Sequence, residues 1–146
     1  MDLILWRHAD AEDGYHDEQR MLTPKGRKQA ERMAGWLGRH LPAHPVVLAS
    51  PALRTQQTAA ALGRKFITRD EIGLSATPDS VLRAAGWPER DDAVVVVGHQ
   101  PTLGMVAARL LVGVDAQWSV RKGSIWWFAR DEGRTVLRAV LGPELV

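Results

Sequence analysis

The chain has no cysteine, which removes disulfides, thiolate metal sites and cysteine nucleophiles together. Any side-chain nucleophile must come from elsewhere, and the histidines are the first candidates. Long hydrophobic runs are also missing. The N-terminal stretch Leu3-Ile4-Leu5-Trp6 follows Met1-Asp2 and stops after a few residues, too short and wrongly flanked for a signal peptide or membrane span. A cytoplasmic protein without membrane contact is the expectation. Neither charge dominates: 19 basic and 17 acidic residues are spread along the chain for a formal net charge of +2. Without a basic tract, nucleic-acid binding is not indicated. There are no repeats or low-complexity segments, and no linker-like shift of composition divides the 146 residues. A chain of this length can bury roughly 70% of the surface its unfolded form exposes, so one domain covering 1–146 is expected.

What is present reads as alternating strands and helices. Leu3 to Trp6 is an apolar strand. Thr23-Pro24 reads as an N-cap followed by proline in the first helical turn, and Ala30, Met33, Ala34, Leu37 and Leu41 recur at helical spacing. Pro42 to Pro45 ends that helix before the strand Val46 to Ala49. Ser50-Pro51 then reads as the cap and opening of a second helix running to about Arg64. Phe66 to Thr68 is a brief strand, the residues from Arg69 to Pro78 a loop, and Asp79 to Ala85 a short helix. The β-branched run Val94 to Val97 is a strand, followed by a helix with Leu103, Val106, Ala107 and Leu110 on its apolar face, ending near Gly113. Ser124 to Ala129 and Thr135 to Leu141 form a hairpin around a loop at Arg130 to Arg134. The pattern predicts an α/β fold in three layers, helix, sheet, helix, with a mainly parallel sheet and an antiparallel C-terminal edge.

Parallel strands bring their carboxyl ends to one edge, where open α/β sheets bind ligands. Arg7-His8 closes the first strand, Ser50-Pro51 follows the second, and Gly98-His99-Gln100 closes the fourth. Arg54 lies one turn into the helix after Ser50, and helical side chains lean toward their own N-terminus, so its guanidinium can return to the same edge. Two arginines and two histidines repel one another unless an anion sits among them, and the guanidinium fork suits phosphate oxygens. The helix N-termini after Ser50 and Gln100 add donors. The same positive field disfavours imidazolium, leaving a neutral ring able to attack. One imidazole can then serve as nucleophile and the other as charge stabiliser.

Leu3 to Glu12, Ser50-Pro51-Ala52-Leu53-Arg54 with Gln57-Thr58, and Gly98-His99-Gln100-Pro101-Thr102 together resemble the histidine phosphatase superfamily. Arg7-His8-Ala9-Asp10-Ala11-Glu12, Arg20-Met21-Leu22-Thr23 and the short chain are most similar to its SixA-type phosphohistidine phosphatase branch. The resemblance implies a phosphoglycerate-mutase-like fold and a nucleophilic His8 that becomes phosphorylated and is then hydrolysed. Arg7, Arg54 and His99 would hold the phosphoryl oxygens, with Arg20 and the Gln100 backbone as further candidates. No cofactor or metal is implied. A metal site of His8, Asp10 and His99 would suit by ligand type, but Arg7 and Arg54 would repel a divalent cation.

Two departures from the family pattern stand out. Ala9 replaces the glycine that commonly follows the histidine, a small change. The region between the third and fourth strands, which in monoester phosphatases supplies a carboxylic acid, is brief here, leaving Glu71 and Asp70 as the proton-donor candidates. A phosphorylated imidazole can depart neutral, so a phosphohistidine substrate tolerates that shortage. A short insertion also leaves no lid, which suits a protein substrate. The expected partner is a phosphorylated protein, with inorganic phosphate as product. The rival readings are a small phosphorylated substrate of the monoester class and a non-catalytic phosphate or phosphoprotein-binding module. His16, His40 and His44 read as solvated side chains. Trp6, Trp126 and Trp127 read as core or sheet-face residues, and Trp36, Trp87 and Trp118 as candidates for exposure. Lys25, Arg27, Lys28, Arg32 and Arg39 read as a solvated helix face, with docking of an acidic partner as the minority view.

Overall fold

Central strands that are apolar on both faces explain the layering. In β1 (Asp2–Arg7), Leu3 and Leu5 point to one face of the sheet and Ile4 and Trp6 to the other, all fully buried. A computed structural model describing residues 1–146 shows what covers each face. Ile4 and Trp6 pack with Met33, Ala34 and Leu37 of α1 (Pro24–His40) and Ala59 of α2 (Leu53–Ala60). Leu3 and Leu5 pack with Val81 and Ala85 of α3 (Pro78–Ala85) and with Leu103, Val106 and Ala107 of α4 (Thr102–Val112).

The six-stranded sheet has the order β3-β2-β4-β1-β5-β6. β2 (Val46–Ala49), β3 (Ile67–Thr68) and β4 (Ala93–Gly98) run parallel to β1. β5 (Ile125–Asp131) pairs antiparallel with β1, and β6 (Arg134–Leu141) antiparallel with β5. β4, buried at every position, lies between β2 and β1. The parallel register sets Arg7 opposite Gly98, so His8 and His99 leave neighbouring strands side by side. The expected three-layer architecture with an antiparallel edge is present.

Several local readings need correction. Ser50 does not cap α2: the helix begins at Leu53 with Ala52 at the N-cap and no side-chain cap. α2 stops at Ala60 rather than near Arg64, and Gly63 then takes a left-handed conformation (φ 67°) in the turn that follows. The hairpin loop is shorter than five residues, because Arg130 pairs with Thr135 and Asp131 with Arg134. Only Glu132 and Gly133, both at positive φ, make the turn. Trp36, Trp87 and Trp118 form no exposed patch. Trp36 packs against the α1 side of the core and stacks on His40, while Trp87 and Trp118 pack against the opposite side.

The N-terminus of α1 is stapled to the loop that follows β1. Thr23 caps the helix by accepting from the Gly26 amide, as its sequence position predicts, and its hydroxyl also donates to the Asp10 carboxylate at 2.8 Å. Gln29 Oε1 accepts from the Asp10 amide at 2.9 Å. Gly26 allows this closeness, since a Cβ there would fall on the Asp10 carbonyl oxygen. The segment beginning at His8 is thus held by α1 as well as by the sheet.

Candidate active site

His8, the first residue past β1, is buried, and its main chain is tied to β4 by a hydrogen bond that its amide donates to the Gly98 carbonyl at 3.1 Å. Its Nδ1 lies 2.7 Å from the Ala9 carbonyl oxygen. A carbonyl can only accept, so Nδ1 carries the ring proton and Nε2 keeps a free lone pair. Burial first, then the charges of Arg54, Arg7 and Arg20, hold the imidazole down to about 4 against the opposing pull of the Ala9 bond. The neutral, nucleophilic form therefore dominates near neutrality.

His99 faces His8 with ring centroids 5.5 Å apart. Its Nε2 lies 2.7 Å from Ser50 Oγ. That hydroxyl oxygen already accepts from the Ala52 amide at 3.2 Å, so its proton is free to donate to Nε2. The remaining nitrogen, Nδ1, then bears hydrogen, and it is buried with no acceptor in the protein. Burial, then His8 and Arg54, lower His99 to about 3, while Asp17 acts in the opposite direction. Ser50 thus serves the site through its side chain, a role that its reading as a helix cap missed.

The two arginines are anchored by their forks and left open at Nε. Arg7 Nη1 donates to the Val120 carbonyl at 2.9 Å. Arg54, with a side chain only 4% exposed, donates from Nη1 to the Asp17 carbonyl at 2.6 Å and from Nη2 to the Asp17 carboxylate at 3.1 Å. Neither Nε finds a partner. Across the whole chain four buried polar side-chain atoms lack a protein partner, and three of them, Arg7 Nε, Arg54 Nε and His99 Nδ1, belong to this cluster. Buried donors left unpaired are costly, and an oxyanion among them would remove that cost. One hydroxyl ties the cluster together: Thr58 Oγ1 accepts from the Ala9 amide at 3.1 Å and donates to the Arg54 carbonyl at 2.7 Å.

The structure places the remaining candidates at the rim. Arg20 bonds Asp17 at 2.9 Å and the Glu12 carbonyl at 3.1 Å, and its charge is among those lowering His8. Gln100 acts through its side chain, accepting from the Gly104 amide at 2.7 Å and donating to the Trp118 carbonyl at 2.8 Å, which braces the segment that presents Val120 to Arg7. Asp70 and Glu71 are exposed on a 3₁₀ turn (Asp70–Ile72) whose Ile72 carbonyl adjoins Gly98. Asp10 bonds Thr23 and Lys122 and is not gathered with the histidines into a metal-ligand set. Asp17 is the residue that sequence reasoning overlooked. Slight burial opposes its ionisation, but bonds from Arg54 and Arg20 outweigh it and keep the carboxylate below its usual range. Its only sequence signal was the three-residue spacing to Arg20.

Comparison with known proteins identifies the family and the fold. The model of the histidine phosphatase superfamily (branch 1) matches residues 3–73. The phosphohistidine phosphatase SixA of Escherichia coli is 31% identical over 122 residues, covering 77% of this chain and 76% of that protein. The chain belongs to the histidine phosphatase superfamily. An uncharacterized protein of Mycobacterium tuberculosis is 36% identical over 116 residues, with 75% of this chain and 73% of that protein covered. A structure of the protein histidine phosphatase SixA with tungstate superposes with a TM-score of 0.83, at 26% identity and 99% coverage of both chains. The fold is that of the phosphoglycerate-mutase-like histidine phosphatases. As a SixA-like member of this superfamily, the chain presents its strand-end histidines and arginines without a long insertion between β3 and β4. No helix is long and apolar enough to cross a membrane.

Proposed function

We propose that this protein is a phosphatase that hydrolyses phosphohistidine on a protein, through a covalent phosphohistidine on His8. The observation that carries the reading is the set of three unpartnered buried donors around a neutral imidazole whose free nitrogen is Nε2. In the first step the Nε2 lone pair forms a bond to phosphorus. The bond from phosphorus to the substrate nitrogen breaks, and the substrate imidazole leaves neutral because its other nitrogen holds a proton. In the second step water attacks phosphorus, the bond to Nε2 breaks, and the proton from water leaves with inorganic phosphate. His8 keeps its Nδ1 proton on the Ala9 carbonyl throughout, so neither departure requires a protonated side chain.

The unpartnered donors, two on cationic guanidiniums and one on a neutral imidazole, supply what a loose phosphoryl-transfer transition state needs, which is positioning and stabilisation of the equatorial oxygens. Arg7, Arg54 and His99 take that role, with the Arg20 charge at the rim. No step calls for a metal or cofactor. The relatives bearing the names phosphohistidine phosphatase and protein histidine phosphatase support the choice of substrate, as does the exposed setting of Asp70 and Glu71, the two carboxylates considered as acids for an ester.

The test is to trap the acid-labile phosphoryl-enzyme and compare turnover of a phosphohistidine protein with that of an aryl phosphate. The adduct should form in wild type, vanish in His8→Ala, and turn over faster from phosphohistidine. Preferential hydrolysis of the ester would overturn the substrate assignment. Absence of any adduct, with phosphate still raising the melting temperature, would point to a binding module instead.

A further inference from the structure

A groove leaves the candidate active site at Arg7 and runs along α1. Its first part, about 370 Å³, is lined by Arg7, Arg121, Lys122 and Lys25 together with Asp10 and Glu144. Its second part, about 460 Å³, shares Lys25, Gln29 and Glu144 with the first and continues past Lys28 to Arg32. The spacing of Lys25, Lys28 and Arg32 puts them along one helical face over about 10.5 Å. No carboxylate lies within 4 Å of the amines of Lys25 or Lys28 or the guanidinium of Arg121, although Arg90, Arg109 and Arg138 elsewhere are paired. Asp10 is bonded to Thr23 and Lys122, and Arg32 at the far end donates to the Val146 oxygen at 2.6 and 3.1 Å, so the unpaired positive charge of the groove sits on Lys25, Lys28 and Arg121 against Glu144.

We infer that this groove binds an acidic segment of the substrate protein, next to the phosphorylated residue. The inference rests on the proposed phosphohistidine activity and adds what selects the substrate. Because Arg7 lies at both the groove and the catalytic cluster, whatever enters the groove is continuous with what occupies the phosphate site. An extended segment of about three residues spans the distance from Lys25 to Arg32. Pro24 and Pro143 are the only apolar side chains along either part, so there is no aromatic platform on which a base could stack and no broad apolar face to enter a lipid surface. Solvated lysines facing a run of aspartates or glutamates steer encounter and register.

The experiment has a binding arm and a turnover arm. Anisotropy of a fluorescent glutamate-rich peptide, without phosphate, is compared with that of a glutamine-rich peptide of equal length. Wild type should prefer the acidic peptide by about tenfold at low ionic strength, the preference shrinking as salt screens the groove. Lys25→Glu with Lys28→Glu should abolish the preference while leaving turnover of free phosphohistidine at the wild-type level. Glu144→Gln, which removes an opposing charge, should strengthen acidic-peptide binding, a gain that no folding defect would produce. Equal binding of both peptides, or a preference that survives the double substitution, overturns the inference. The binding arm needs no turnover, so acidic-peptide binding by a protein that hydrolyses no phosphohistidine would overturn the proposed function and leave the groove's selectivity standing.

Discussion

Ser50 Oγ and His99 Nε2, from residues that follow β2 and β4 and are both buried, lie 2.7 Å apart. This bond determines which nitrogen of His99 faces the phosphate site as a donor. Ser50→Ala removes it, leaving the imidazole free to place its proton on the wrong nitrogen. Turnover should fall by about tenfold, the scale set by one hydrogen bond to a reacting group, and the loss should appear in kcat more than in KM. A kcat equal to wild type would show that His99 is oriented by something else.

Asp17 puts a carboxylate against Arg54 and beside His99. It therefore competes with an incoming anion for the same guanidinium. Asp17→Asn keeps the main-chain carbonyl that holds Nη1 and removes only the charge. Inorganic phosphate should bind several-fold more tightly to this variant, a modest size because the Asp17 carboxylate is half exposed and screened by solvent although Arg54 is buried. Calorimetric titration reads the change, and weaker binding would mean that the carboxylate chiefly holds Arg54 in place.

Stability should depend on pH through the two buried histidines. Their folded values are about 4 for His8 and about 3 for His99, against an ordinary 6.5. As pH falls below 6.5 the unfolded chain takes up protons that the folded protein refuses, so the stabilisation is complete above that value and is lost on acidification toward 4. Each site contributes a slope of up to about 1.4 kcal/mol per pH unit in that window. The melting temperature should drop steadily from pH 7 to pH 4.5, and the drop should be shallower in His99→Asn. A flat profile across that range would contradict the burial of neutral imidazoles.

Gly26→Ala should destabilise the fold although glycine to alanine normally favours a helix. The added methyl would collide with the Asp10 carbonyl, which is main chain and cannot step aside cheaply. A loss of about 1–3 kcal/mol is expected, the range for forced overpacking, measured by urea unfolding. An unchanged midpoint would mean that the loop after β1 moves more freely than its bonds to Thr23 and Gln29 imply.

The strand ends were legible because they follow from patterns within a few residues: Val94 to Val97 flanked by Gly98-His99, and Leu3 to Trp6 flanked by Arg7-His8. Arg54 was expected at this edge from a helix starting at Ser50 with Arg54 one turn inside it; the helix starts at Leu53, so Arg54 reaches the edge as its second residue. Ser50 was misread for a physical reason. Its proximity to Pro51 is a local signal for a helix start, yet its hydroxyl is engaged by His99, 49 positions away. Asp17 was missed because a carboxylate in a polar loop carries no periodicity, and its contact with Arg54 depends on how α2 packs against that loop. The hairpin turn was overestimated because charged residues can sit on an exposed edge strand as readily as in a loop, so Arg130, Asp131 and Arg134 disguised two rungs of the ladder. The basic residues of α1 were visible as a face, whereas their continuity with Arg7 through Arg121 and Lys122 depends on the tertiary fold.

The sheet's strand order also governs how the molecule meets copies of itself. One border is β3, only two residues long, and the other is β6, which opens on Arg134 and carries Arg138 at its middle. Neither border offers a long uncharged row of free amides and carbonyls, so edge-to-edge stacking into fibrils is disfavoured from both sides.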